Sequence, residues 1–95
     1  MIAEPPQHRV FISYARRDAA RLASDLQGGL QPGYEVWLDT ARLSGGASWT
    51  LGIEKAIDRC DVLLALMTPG SYESDICRAE QLRALRKGKI GRAHV

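Results

Sequence analysis

Six consecutive residues, Val62 to Met67 (VLLALM), are all apolar, and Thr68, Pro69 and Gly70 end the run. A strand with one face in water alternates apolar and polar residues, whereas one covered on both faces does not. The run therefore predicts an interior strand of a parallel sheet with helices on either side. Ser74 then stands where a side-chain oxygen caps a new helix, and Asp75 in the first turn suits the helix dipole. Glu80 falls in the second turn of that helix, and of its neighbours three and four residues away, Ile76, Cys77 and Ala84 are apolar and Arg83 is charged. Two readings stay open on spacing alone. Glu80 is a surface carboxylate paired with Arg83, contributing ~0.3 kcal/mol, or it is turned inward toward a site.

The rest of the chain repeats the pattern. Val10, Phe11 and Ile12 read as a first strand, after a lead over residues 1–9 that contains Pro5 and Pro6 and is expected to be flexible. Asp18 is the expected N-cap of a helix whose apolar face is Ala19, Leu22, Ala23, Leu26 and Leu30, ended by Gly28, Gly29, Pro32 and Gly33. Tyr34–Leu38 reads as the second strand, with Trp37 packed on the sheet and Asp39 at its end. Residues 40–48 read as a long loop, and Ser48 caps a helix striped by Trp49, Ile53, Ala56, Ile57 and Cys60. Three strand–helix units in succession imply right-handed crossovers and one parallel α/β domain.

Composition narrows the function. The chain has 95 residues, 45% of them hydrophobic and 25% charged, with a net charge of +2, so one small core is available and no strong field draws nucleic acid or a membrane surface. Arg78, Arg83, Arg86, Lys87 and Lys89 cluster in sequence but point to different sides of a helix. Cys60 and Cys77 fit neither a disulfide framework nor metal-ligand spacing, the stretch MIAEPPQH has no charged n-region or apolar h-region, and no apolar run approaches about 18 residues. A cytoplasmic protein without a bound metal or membrane segment is expected.

In an open parallel sheet, ligands bind outside the carboxyl ends of the strands. This points to residues 13–17, Asp39 with the loop 40–48, residues 68–74, and Glu80. The first of these loops, SYARRD, has neither G-x-G-x-x-G nor a Walker pattern. Ser13, Ser71 and Ser74 have no nearby His for nucleophilic catalysis. A phosphoacceptor receiver needs acidic residues where Ser13, Tyr14, Met67 and Thr68 stand, and is set aside.

VFISYARRD, VWLD, the G-x-x-W and I-x-x-A-I of residues 46–57, CDVLLALMTP, and the S-x-x-C-x-x-E of Ser74, Cys77 and Glu80 occur in that order. Together they resemble a Toll/interleukin-1 receptor (TIR) domain of the bacterial type, from Val10 to about Lys89. The resemblance implies a flavodoxin-like parallel sheet of order 2-1-3-4-5 flanked by helices, of which strands 2-1-3 are expected here. Residues 10–89 are thus expected to be a partial TIR domain. Residues 90–95, IGRAHV, resemble the translation of a common sequencing-library adapter and are expected to be a non-native tail. Such a piece would leave Val62–Met67 as an exposed apolar edge and is expected to be poorly stable and inactive.

The resemblance also implies a chemistry. Many members cleave NAD+, as substrate and not as cofactor, at the nicotinamide–ribose bond, and the essential glutamate falls on Glu80. Ser13, Tyr14, Arg16, Asp39, Trp49 and Ile76 would shape the substrate pocket. Leu43, Ser44, Gly45 and Gly46 fall in the loop used for self-assembly with other TIR domains. The whole would be the NAD+ nucleosidase output module of a defence or signalling protein, its product ADP-ribose or a cyclised form. The alternative is a non-enzymatic scaffold that signals by homotypic contact. One departure is Ile76, where many NAD-cleaving relatives carry Trp: the apolar wall is kept and aromatic stacking is lost.

Overall fold

A computed structural model describes residues 8–38 and 51–94, the last three by backbone alone. The elements run β1 (His8–Ser13), α1 (Arg16–Leu30), β2 (Tyr34–Leu38), α2 (Leu51–Arg59), β3 (Val62–Met67), α3 (Pro69–Glu73), α4 (Asp75–Arg86) and β4 (Ile90–His94). All four strands are parallel, in the order β2-β1-β3-β4. The apolar run Val62–Met67 lies inside the sheet, with β1 on one side and β4 on the other.

Strand alternation divides the core between the two faces. Val10, Ile12, Val36 and Leu66 meet Ala19 and Ala23 of α1 on one face. Phe11, Leu63 and Ala65 meet Ile53 and Ile57 of α2 and Ala84 of α4 on the other. Trp37 stacks over Phe11 on the neighbouring strand, with ring centroids 6.5 Å apart and planes 14° from parallel, so the expected sheet packing is present, although half the Trp37 surface stays exposed.

Four local expectations are corrected. β1 starts at His8, inside the expected lead, because Arg9 N–H and carbonyl both find partners in Asp61: the amide donates to Oδ2 at 2.7 Å and the carbonyl accepts from Asp61 N–H at 2.8 Å. Helix α1 begins at Arg16 behind an extended Ala15 with no side-chain cap, so Asp18 is not the N-cap. It continues through Gly28 and Gly29 to Leu30, and the break comes at Pro32 and Gly33. The segment after β3 is not a plain turn. Thr68 and Ser71 form a reciprocal capping box with Pro69 in the first turn, which makes the short helix α3.

The largest correction is the fourth strand. The sequence reading expected three strands in the order 2-1-3, yet residues 90–94 add a fourth that pairs in register with Leu63–Met67. Helix α4 ends in a Schellman turn: Gly88 takes φ +69°, its N–H donates to the Leu85 carbonyl at 3.0 Å, and the Lys89 N–H donates to the Ala84 carbonyl at 2.9 Å. That turn aims the chain back along β3, where the Leu63 N–H donates to the Lys89 carbonyl at 2.7 Å. Backbone pairing asks little of side-chain identity. Whatever the origin of residues 90–94, they cover the edge that would otherwise be exposed.

Candidate functional site at the carboxyl end of β1

Ser74 caps α4 by accepting from the Cys77 N–H at 3.2 Å, and this fixes the helix's rotation. Cys77, Glu80 and Ala84, three and then four residues apart, form its buried stripe. Glu80 is therefore carried inward by the same periodicity that buries its apolar neighbours. Its side chain is 0% exposed, as is Ser13 at the carboxyl end of β1, and the Ser13 hydroxyl donates to Glu80 Oε1 at 2.9 Å.

The alternative pairing of Glu80 with Arg83 does not occur. Arg83 turns to α2, where Nε and Nη2 donate to the two Asp58 carboxylate oxygens at 2.9 and 2.8 Å and Nη1 lies 2.9 Å from Glu54. This fork clips α4 to α2. The hydrogen bond from Arg83 holds the Asp58 carboxyl below its ordinary range, and the same bond raises Arg83. Arg83 is thus part of the frame that presses Glu80 against the sheet.

The other expected site residues separate. Tyr14 is buried in the α1-side cluster. Arg16 is exposed and lines an open cleft of about 310 Å³ with Arg17, Gly70, Glu73 and Ser74. Ile76 is half-buried on α4, one turn before Glu80. Asp39, Trp49, Leu43, Ser44, Gly45 and Gly46 lie outside the described residues. Among the described residues, Ser13 and Glu80 are joined by a hydrogen bond.

Sequence reasoning missed the residue that joins the two loops beside this pair. Asp18 accepts from the Thr68 hydroxyl and from the Gly70 N–H, each at 2.7 Å. The Thr68 bond, with the Gly70 amide second, holds the Asp18 carboxyl below its ordinary range. A Cβ on Gly70 would stand 2.7 Å from Asp18 Oδ1 and 3.0 Å from Ala15 Cβ, so the close approach uses the absence of a side chain. Thr68 followed by Pro69 and Ser71 was the available signal for a cap, but nothing local pointed to Asp18 50 residues earlier.

Among the described residues, the centre is a carboxyl group withdrawn from water with the Ser13 hydroxyl beside it. Burying a carboxylate is costly unless it is hydrogen-bonded or meets a positive charge, and the Ser13 hydroxyl supplies one such bond at the carboxyl end of the sheet. Among the described residues no three His, Cys, Asp or Glu side chains converge as metal ligands, and no helix is long and apolar enough to cross a membrane.

Comparison with known proteins agrees on the architecture. The chain is similar in fold to the TIR domains in the structure of the activated Roq1 resistosome directly recognizing the pathogen effector XopQ, with a TM-score of 0.79 at 19% identity. The match covers 94% of this chain and 58% of that one, so this chain spans little more than half the length of that structure's chain. No curated protein matches significantly. A family model described as the TIR domain matches residues 10–95, and on that match the chain belongs to the TIR-domain family.

Proposed function

We propose that this TIR domain is an NAD+ nucleosidase in which Glu80 stabilises the ribosyl cation formed as nicotinamide leaves. The observation that carries the reading is the buried Glu80 carboxylate, held by Ser13 at the carboxyl end of a central strand. Nicotinamide departs from a pyridinium: the bond from the ribose anomeric carbon to the ring nitrogen breaks, both electrons go to nitrogen, and the leaving group is neutral. No general acid is required. The positive charge that remains is on the ribose, and a preorganised carboxylate in a site closed to water opposes it more strongly than one in solvent. Water then bonds to the anomeric carbon and releases a proton, giving ADP-ribose; attack by the substrate's own nucleophile would give a cyclised product instead.

Ser13 orients the carboxylate, and Ile76 on the preceding turn supplies apolar wall. Arg16, at the start of α1, would meet phosphate in this reading. Tyr14, Asp39 and Trp49 remain pocket residues of this proposal by family resemblance, and Leu43, Ser44, Gly45 and Gly46 remain its self-assembly loop. The domain would serve as the output module of a signalling or defence protein. A homotypic scaffold is the competing reading, favoured by the resistosome to which the similar TIR domains of Roq1 belong.

The test is incubation of the full-length protein with NAD+, read by mass, beside its Glu80→Gln variant. That change keeps shape and removes charge, so turnover should fall ~10²-fold or more, comparable to losing one preorganised electrostatic group. Turnover within a few-fold of the parent would move the role elsewhere, and intact NAD+ under self-associating conditions would favour the scaffold.

A further inference from the structure

A second cleft, of about 430 Å³, opens between the outer strand β2 and helix α2, within the range of roughly 300–1,000 Å³ typical of small-ligand sites. Trp37 forms one wall, Lys55 and Arg59 line the other, and Arg9, Glu35 and Cys60 complete it. Neither Ser13 nor Glu80 takes part. Trp37 is stacked on Phe11 and is still 51% exposed. A large ring held in place with its outer surface open is a platform for another flat ring.

The charges are unbalanced in one direction. Glu35 lies 3.4 Å from Arg9, so these two offset each other. Lys55 and Arg59 are four residues apart on one face of α2, where like charges repel. Among the described residues neither has an ion-pair partner, unlike Arg17 with Glu73 and Arg83 with Asp58. The cleft thus sets a flat apolar surface opposite two cations that no described carboxylate pairs with. A purely apolar ligand would leave the cations unanswered, and a bare anion would leave the ring unused. We propose that this cleft is a binding site for a nucleoside monophosphate, with the base against Trp37 and the phosphate on Lys55 and Arg59. The proposal is independent of NAD+ cleavage and stands whichever way Glu80 acts.

The test is a titration of the full-length protein with adenosine 5′-monophosphate, followed by NMR through the Trp37 indole N–H, which the Trp37→Phe variant assigns. Adenosine and inorganic phosphate are titrated separately. The expected result is a saturable Trp37 shift, with affinity for the monophosphate about tenfold or more above that for adenosine, as for one or two charge-assisted contacts. Lys55→Glu with Arg59→Glu, both exposed and so compatible with folding, should bring the monophosphate down to the level of adenosine. Glu80→Gln should leave it unchanged. The proposal is overturned by the absence of a saturable shift, by binding that survives the double charge reversal, or by phosphate alone binding as well as the monophosphate. A Trp37 shift that grows with protein concentration in the absence of ligand, together with a dimer in sedimentation, would assign the cleft to a second copy of the chain and also overturn it.

Discussion

Ser13 and Glu80 are 67 residues apart in the chain, and a single 2.9 Å hydrogen bond joins them where water does not reach. Removing the donor separates a structural from a chemical role. Ser13→Ala should lower stability by about 1–3 kcal/mol, the usual consequence of deleting one partner of a buried hydrogen bond. It should show as a shift in the urea midpoint at constant slope. If Ser13 also orients Glu80 for catalysis, NAD+ turnover falls even at temperatures where both proteins are fully folded. An unchanged midpoint would mean that the bond adds nothing to the fold. Spacing could not choose the inward Glu80, because three apolar neighbours and one Arg are compatible with either orientation. The buried stripe of α4 carries Glu80 inward, and Arg83 is engaged by Asp58 and Glu54 on another helix instead.

At the scale of elements, the interior strand Val62–Met67 and the Ser74 cap were legible because each rests on a local rule: absence of alternation, and a side-chain oxygen at a helix start. The start of α1 was not, since Asp18 is a good cap residue by type but its carboxylate is engaged by Thr68 and Gly70. That engagement has a pH signature. The folded value of Asp18 lies below its ordinary 3.8, so the stabilisation is present above 3.8 and is lost as pH falls through the folded value. Asp58 acts in the same sense through Arg83. Asp18→Asn should flatten the fall in urea midpoint as pH drops below about 4, because the neutral amide does not titrate. An identical acid profile would assign the fall to other carboxylates. The end of α4 offers a second check at this scale. Gly88 sits at φ +69° with open space around it, so Gly88→Ala meets no clash and tests backbone conformation alone. A loss of about 1 kcal/mol is expected, read as a lower melting temperature, and no change would show that the turn relaxes freely.

For the whole molecule, the order β2-β1-β3 was readable from three strand–helix units, while β4 was not, because Gly91, Arg92 and Ala93 carry no strand signal of their own. Their pairing is imposed by the Schellman turn and by the open edge of β3. This changes the stability argument for the domain. With residues 90–94 present, β3 is paired on both sides, and Leu63, Ala65 and Leu66 are fully buried. Without them, the same apolar strand becomes an edge whose amides and carbonyls template association. Truncation after Lys89 should therefore raise aggregation and lower the melting temperature relative to the parent chain, measured by sedimentation velocity and thermal scans. Gly91→Val is the counterpart that keeps the strand. A Cβ at residue 91 would meet Val62 Cγ2 at 3.6 Å and the Leu63 carbonyl at 3.9 Å, both ordinary contacts, and a β-branched residue suits a strand better than glycine. Its melting temperature should match or exceed the parent's. A truncated chain that stays monomeric and melts sharply would show that α2 and α4 protect β3 unaided, and a Gly91→Val variant that aggregates would show that β4 is held by the smallness of its residues and not by its pairing.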